Sequence, residues 1–229
     1  MPLVKAKSNW YNNLSDFDLV DDFFLTAQGL FLIQTSAGGG FADIPTFTDS
    51  PVNGIYYGTT HTGTSGAAGL AGSISLLFSS WNRLSIAYRF KINTLADGTN
   101  SYRVFLGFNH STSANSTPST RNAGFFYSNA TANWQAYTYN GSVGTTTDTG
   151  IAASISAFNT FLVRANGTSS VQFLINNVLV ATHTTNIPSA AVCPYFSILK
   201  TAGTTARDFY VDWARLSGSG NSRTLDGSI

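Results

Sequence analysis

The sequence predicts an all-β protein in which two antiparallel sheets pack face to face. Its 11 acidic residues are all Asp and only four residues are Lys, so the usual material of surface helices is scarce. The 17 Phe and 10 Tyr favour strands. The chain divides into roughly a dozen short alternating segments separated by turn residues, without a helical period. At 229 residues, this pattern is typical of one large two-sheet sandwich.

The clearest hairpin lies at residues 171–183, VQFLINNVLVATH. Asn tolerates positive φ, so Asn176 and Asn177 predict a two-residue type I′ turn that pairs the residues on either side of it. One face of the hairpin is then expected to carry Val171, Phe173, Ile175, Val178, Val180 and Thr182. The other face would carry Gln172, Leu174, Leu179 and Ala181. Because both faces hold apolar residues, the hairpin is expected to lie within a layered structure.

The chain is expected to begin with an arm and an edge strand. Residues 1–15 are polar and aperiodic, which predicts an N-terminal arm before a single domain at residues 16–216. An acidic cluster follows, interleaved with large apolar residues, as in an edge strand whose charges prevent pairing with other sheets. A cation site is the alternative for this cluster. Its members are Asp16, Asp18, Asp21 and Asp22.

Successive antiparallel strands are predicted through the rest of the chain. Residues 84–92 alternate most regularly, and a turn at Asp97-Gly98 separates them from a similar strand at 102–108. Residues 110–122 form a long polar loop of the kind that often carries function. Further strands are expected at 30–34, 55–57, 70–78, 124–128, 134–139, 158–165, 193–200 and 209–216. Residues 217–229 have linker composition and predict a flexible C-terminal tail.

Charge and composition exclude several classes of function. Charged residues make up 10% of the chain, the net charge is +1 and the Arg residues are scattered, so no nucleic-acid partner is expected. The N-terminal residues lack the apolar core of a signal peptide, and no apolar run is long enough for a membrane span. The protein is therefore expected to be made in a host cytoplasm without secretion. Cys193 lies in an apolar run and predicts a buried, inert thiol.

The order of several segments resembles a known superfamily. The chain resembles the concanavalin A-like jelly roll of laminarinases and lectins in the order of five segments. These are a DDFF segment, a Gly/Thr-rich segment, a Trp strand, the hairpin VQFLINNVLVATHTTNIP and the closing strand FYVDWARL. More narrowly, DDFF with TGTSGAAG, NWQAYTYNG and DTGI resembles bacteriophage virion proteins of that fold, found in tail and capsid accessory components. The resemblance spans about residues 16–216 and implies a jelly-roll sandwich.

Catalysis is not expected from these residues. The glycosidases of this superfamily use two Glu side chains about 5 Å apart, and the sequence contains no Glu. Asp97 and Asp148 are isolated in a turn and a loop. The sequence contains no Gly-x-Ser-x-Gly motif that would present the nucleophile of a serine-type triad. The three histidines His61, His110 and His183 are expected to be exposed.

Sugar binding is the main alternative to a purely structural role. Tyr127, Trp134, Tyr137 and Tyr139 are candidates, since aromatic rings on a sheet face can stack on pyranose rings. Strict alternation places Tyr137 and Tyr139 on one face and Trp134 on the other. These rings could equally fill the core between the sheets.

The resemblance also implies a calcium ion at Asp212 of the closing strand. The alternative for Asp212 is an ion pair with Arg215, Arg207 or another basic residue. No other cofactor is expected.

These observations predict a non-enzymatic structural protein of a bacteriophage particle, either a capsid decoration or cement protein or a tail or fibre subunit. Its expected partners are copies of itself, with a trimer as first choice, and other virion proteins. A carbohydrate-binding module that recognises a host surface glycan is the alternative, and a glycoside hydrolase is a remote one. The expected location is the virion.

Overall fold

In the computed structural model, residues 16–21, 31–37, 55–60, 62–72, 74–110 and 121–220 are described below. They form fourteen strands and one short 3₁₀ turn, Phe78–Ser80. No helix within these ranges is long and apolar enough to cross a bilayer. The strands are β1 (Asp16–Asp21), β2 (Phe31–Ala37), β3 (Tyr56–Thr59), β4 (Gly66–Gly72), β5 (Trp81–Ile92), β6 (Tyr102–Asn109), β7 (Asn122–Ser128), β8 (Thr131–Tyr139), β9 (Gly144–Ala152), β10 (Asn159–Asn166), β11 (Ser170–Ile175), β12 (Val178–His183), β13 (Cys193–Lys200) and β14 (Asp208–Gly220).

The strands form two antiparallel sheets of seven. The first sheet has the order β1-β14-β5-β10-β11-β12, with β3 also paired to β14. The second has the order β2-β4-β13-β6-β7-β8-β9. The predicted two-sheet sandwich is therefore confirmed, and β1, with its aspartates, is an edge strand as expected.

The core lies between the sheets and follows the predicted alternation. In β5 the inward side chains Leu84, Ile86, Tyr88, Phe90 and Ile92 are all at most 1% exposed. They face the inward side chains of the second sheet, where Tyr102, Val104, Leu106 and Phe108 of β6 are fully buried. Aromatic rings meet across the gap, for example Phe125 and Phe161 with ring centroids 5.2 Å apart.

The predicted hairpin forms, with one change of register. Asn176 and Asn177 have φ of 50° and 65°, as a type I′ turn requires. A bulge between Phe173 and Leu174 then shifts the pairing, so that Ala181 rather than Val180 lies opposite Phe173. The shift turns His183 inward and leaves Thr182, which was predicted on the core face, exposed. Val178, also predicted on the core face, is 62% exposed beside the turn.

The closing strand is longer than predicted. β14 continues to Gly220, four residues beyond the expected end of the domain, because Ser217 and Ser219 pair with β1 on one side and β5 on the other. The predicted arm at 1–15, most of the polar loop at 110–122, and residues 221–229 lie outside the described residues.

Cys193 is buried, as its apolar surroundings predicted. Its thiol donates a hydrogen bond to the carbonyl of Asn109 at 3.3 Å. Burial raises the pKa of this thiol to about 11, so the reactive thiolate is disfavoured.

Candidate carbohydrate-binding face

The structure separates the four aromatic candidates into two pairs. Trp134 and Tyr127 are 2% and 3% exposed and lie in the core. The Trp134 ring packs against Phe161 with centroids 4.6 Å apart, and the Tyr127 hydroxyl accepts a hydrogen bond from the Ala96 amide at 3.1 Å. These two placements correct the sequence-based hypothesis, because a ring packed between the sheets has no face for a sugar.

Tyr137 and Tyr139 lie on the opposite face of β8, which is the outer face of the second sheet. Both rings are partly exposed. Their centroids are 6.2 Å apart and their planes differ by only 11°, so they form an ordered aromatic pair. Partial burial and the neighbouring Tyr139 raise the pKa of Tyr137, which keeps its phenol protonated at neutral pH. We call Tyr137 and Tyr139 the tyrosine platform.

Glycines in the neighbouring strands make room for the tyrosine platform. Gly144 of β9 pairs with Tyr139, and a Cβ at that position would approach both rings to within 3.0 Å. Gly124 of β7 pairs with Tyr137 and in turn with Gly107 of β6. Gly144 thus leaves room for the two tyrosine rings, whereas Gly124 is covered by Phe105, whose Cζ would lie 2.7 Å from a Cβ there.

An ionised carboxylate lies on the same face, close to the platform. Asp148 of β9 pairs with Gln135 of β8. Its Oδ1 accepts hydrogen bonds from the Gly150 amide at 2.8 Å and from Asn133 Nδ2 at 2.9 Å. These hydrogen bonds lower the pKa of Asp148, so it is a fixed acceptor at neutral pH. Sequence reasoning had placed this residue in an isolated loop, whereas the structure places it on a strand.

Asn122 is a residue of this face that sequence reasoning missed. It is the first residue of β7 and pairs with Tyr139 on one side and Asn109 on the other. Its side chain is fully buried, yet neither Oδ1 nor Nδ2 has a hydrogen-bond partner. The two-residue period from Gly124 would have placed it beside the platform, but its position at the end of a polar loop hid that signal.

The proposed calcium ligand forms an ion pair. Asp212 bonds to Arg89, whose guanidinium also lies 4.8 Å from the centre of the Phe158 ring. A basic partner therefore occupies the carboxylate, as one of the sequence-based alternatives anticipated. Within the described part of the chain, no three His, Cys or Asp side chains are grouped so that they could hold a metal ion.

The described histidines are not arranged for catalysis. His183 was expected to be exposed, but it is buried, with 3% of its surface accessible. Its Nδ1 lies 2.9 Å from the Thr138 hydroxyl, and its Nε2 lies 3.0 Å from the Thr147 hydroxyl. His110 is exposed, with Nδ1 2.8 Å from the Ala191 carbonyl oxygen. Neither of these two side chains forms an ion pair with a carboxylate. His61 lies outside the described residues.

The two antiparallel sheets packed face to face form a jelly-roll sandwich, the fold class that the sequence predicted. Residues 52–212 match the family described as "SO2946-like, C-terminal domain". Because this match spans more than half of the chain, the protein belongs to that family.

Solved structures share the same architecture. A protein of unknown function, SO2946 from Shewanella oneidensis MR-1, superposes with a TM-score of 0.59 at 14% identity, over 93% of this chain and 90% of that one. The carbohydrate recognition domain of Emp47p gives a TM-score of 0.54 at 12% identity, over 89% and 95% of the two chains. A glycoside hydrolase family 16 endo-glucanase from Bacteroides ovatus gives 0.54 at 11% identity, over 86% and 98%.

At these identities the structural likeness establishes the fold alone. The fold is thus shared with a sugar-recognition domain and with a glycosidase. No curated protein matches the chain by sequence.

Proposed function

We propose that this protein is a non-catalytic carbohydrate-binding module that binds a neutral glycan on the outer face of its second sheet. The observation that carries the proposal is the tyrosine platform: two partly exposed, nearly parallel rings on the outer face of the second sheet. The Emp47p domain, described as a carbohydrate recognition domain, supports the proposal because it uses the same fold.

The chemistry of the platform suits a sugar. The C–H groups on one side of a pyranose ring are apolar, and an aromatic ring can cover them at low entropic cost because it is already held in place. Sugar hydroxyls need fixed hydrogen-bonding groups around that ring. Such groups lie on the same face, two or more residues from the tyrosine platform along β8 and β9: Asp148, Asn133 and Gln135.

The charge of this region favours a neutral ligand. Asp148 is the only charged residue in β8 and β9. A carboxylate fixed in the ionised state would repel sialic acids, uronic acids and sulfated sugars, whereas it accepts hydrogen bonds from neutral hydroxyls.

The proposal includes the absence of hydrolysis, and the chain's carboxylates support it. There is no Glu in the sequence. Asp97 forms an ion pair with Arg207, and Asp212 forms one with Arg89. Asp148 is held ionised by its hydrogen bonds and has no carboxylate partner across β8, where Gln135 lies.

A glycan array with the purified chain tests this proposal. Binding to neutral glycans is expected, and the double variant Tyr137→Ala/Tyr139→Ala should abolish it. Tyr57 and Tyr210 provide a matched control, since they form a similar pair, 5.3 Å apart, on the outer face of the first sheet. If the Tyr57→Ala/Tyr210→Ala variant loses binding and the platform variant keeps it, the site is misassigned.

A structural role in a phage particle is the second candidate, and one observation favours the self-association that it requires. β12 is the last strand of the first sheet, carries no charge, and exposes Val178 by 62% and Leu179 by 52%. Edge strands of this kind pair readily with a second copy. None of the proteins named above is described as a phage protein, so the virion location rests on the sequence resemblance.

Light scattering of the purified chain tests self-association. A homo-oligomer, with a trimer as first choice, is expected for the wild type, and Leu179→Lys should shift it toward monomer. Mass spectrometry of purified virions tests the location. If the wild type is monomeric and missing from virions, the structural role is contradicted and only the carbohydrate-binding proposal remains.

A further inference from the structure

Hydrogen bonds between side chains join the two sheets on the inner side of the tyrosine platform. β9 is the last strand of the second sheet and β12 is the last strand of the first. His183, at the end of β12, lies between the hydroxyls of Thr138 in β8 and Thr147 in β9. Three residues further on, Asn186 donates to the Thr145 hydroxyl of β9 at 2.9 Å. Neutral polar groups therefore hold the edge of the second sheet to the first.

The hydrogen bonds around His183 determine which of its nitrogens carries the proton. Thr138 has one hydroxyl proton, which it donates to the carbonyl of Thr185 at 3.3 Å. The Thr138 oxygen therefore accepts from Nδ1–H of His183, and Nε2 accepts from the Thr147 hydroxyl. A protonated imidazole has donors at both nitrogens, so Nε2 can no longer accept from Thr147. Protonation thus changes the contact with β9 in particular.

The strands packed against His183 offer no counter-charge to a protonated ring. Its side chain is 3% exposed, and Phe173 of β11 lies against it with ring centroids 4.9 Å apart. β11 contains no charged residue. The titratable side chains of β8 and β9 are Tyr137, Tyr139 and Asp148, and all three lie on the outer face of the sheet. Acid would therefore place an uncompensated charge between the sheets.

The tyrosine platform depends on the position of β9. Gly144 pairs with Tyr139, and a Cβ there would lie 2.9 Å from the Tyr137 hydroxyl and 3.0 Å from Tyr139 Cδ2, so both rings pack on this strand. β9 forms a ladder with β8 alone, which makes its contacts with the first sheet a second attachment. We propose that neutral His183 is a positioning residue of the glycan site, holding β9 in place beneath the two rings, and that acid weakens glycan binding by disrupting this contact. This inference rests on the proposed function and adds regulation of the same site by pH.

The test follows glycan affinity against pH by isothermal titration, with a neutral oligosaccharide that the wild type binds on the array. Wild-type affinity should fall at least about fivefold between about pH 7.5 and 4.5. Because burial lowers the pKa of His183 from 6.5, the fall should begin below pH 6.5. Asp148 stays ionised over this range, since its hydrogen bonds lower its pKa from 3.8.

Two histidine variants assign the pH dependence. His183→Gln keeps a donor and an acceptor but does not titrate, so its affinity should lie within about twofold of the wild-type value at neutral pH and should not fall in acid. His110→Gln changes an exposed histidine and should keep the wild-type profile.

A pair of threonine variants tests the contact with β9. Thr147→Val removes the hydroxyl that donates to Nε2 and should weaken binding at neutral pH by roughly threefold or more. Thr149→Val makes the same change on the same face of β9, but its hydroxyl donates to the Trp134 carbonyl within its own sheet. The Thr149 variant should therefore bind like wild type.

The possible failures can be told apart. If wild-type affinity is constant with pH, or falls equally in His183→Gln, the inference fails and the carbohydrate-binding proposal stands. The inference also fails if circular dichroism shows that the wild type unfolds over the pH range in which binding weakens, because His183 would then have a structural role only. If the wild type binds no glycan on the array, both proposals fail.

Discussion

The hydroxyl of Tyr88, a residue of the first sheet, is inserted into the backbone of the second sheet at Tyr195. It accepts a hydrogen bond from the Tyr195 amide at 3.0 Å and shares its proton between the carbonyl oxygens of Tyr195 and Gly107, each at 3.1 Å. Tyr195 and Gly107 are partners in the β13–β6 ladder. A fully buried phenol thus joins the two sheets through main-chain hydrogen bonds, directly beneath the candidate binding face.

Removing this hydroxyl should be costly. In Tyr88→Phe the Tyr195 amide loses the hydroxyl as an acceptor in a buried position, and we expect a loss of about 1–3 kcal/mol in the free energy of unfolding. Denaturant titration measures it. Tyr210→Phe removes a partly exposed hydroxyl and should have little effect; equal losses in both variants would show that the inserted hydroxyl is not special.

Phe173 tests the core of the hairpin. It is fully buried and meets Phe125 edge to face with centroids 5.5 Å apart. Phe173→Ala should therefore cost about 3–5 kcal/mol through loss of packing and the cavity left behind. Leu179→Ala is the control, because that side chain is 52% exposed. A Phe173 variant that melts like wild type would contradict the assignment of this face.

His183 should make stability depend on pH. Burial lowers its pKa from 6.5, so the folded protein holds it neutral while the unfolded chain binds a proton more readily. Its contribution is fully present above pH 6.5 and is lost progressively as the pH falls toward the lower folded-state value. The melting temperature should decline as the pH falls below about 6.5, and His183→Gln should flatten this decline. An identical decline in both proteins would assign the effect to other groups.

Gly144 offers a way to disturb the tyrosine platform without removing a ring. A Cβ at this position would lie 2.9 Å from the Tyr137 hydroxyl and 3.0 Å from Tyr139 Cδ2. Gly144→Val should therefore displace both rings and weaken glycan binding by roughly tenfold while stability changes little. Gly98→Val is a suitable control, since a Cβ there meets nothing within 4 Å. Unchanged affinity in Gly144→Val would show that the ring positions do not matter.

The faces on which side chains lie could be predicted from the sequence wherever a strand follows a strict two-residue period. That period placed Tyr137 and Tyr139 together and Trp134 on the opposite face, as the structure confirms. It could not reveal the bulge at Phe173 and Leu174, because an extra residue in one strand leaves no mark in the alternation. That bulge turns His183 inward.

The polar part of the candidate site was hidden for a different reason. Asp148 and Asn122 lie in segments rich in Thr, Ser and Asn, which resemble loops in composition. Their place beside the tyrosine platform depends on pairing with β8, a contact between strands that no local pattern specifies.

Nuclear magnetic resonance of the glycan complex tests the central claim most directly. With ¹³C-labelled tyrosine and stepwise addition of a neutral oligosaccharide that binds on the array, the ring signals of Tyr137 and Tyr139 should shift together and saturate. The signals of Tyr57 and Tyr210, on the other sheet, should stay in place. Shifts confined to Tyr57 and Tyr210, or no shift in any ring at saturating sugar, would contradict the proposed binding face.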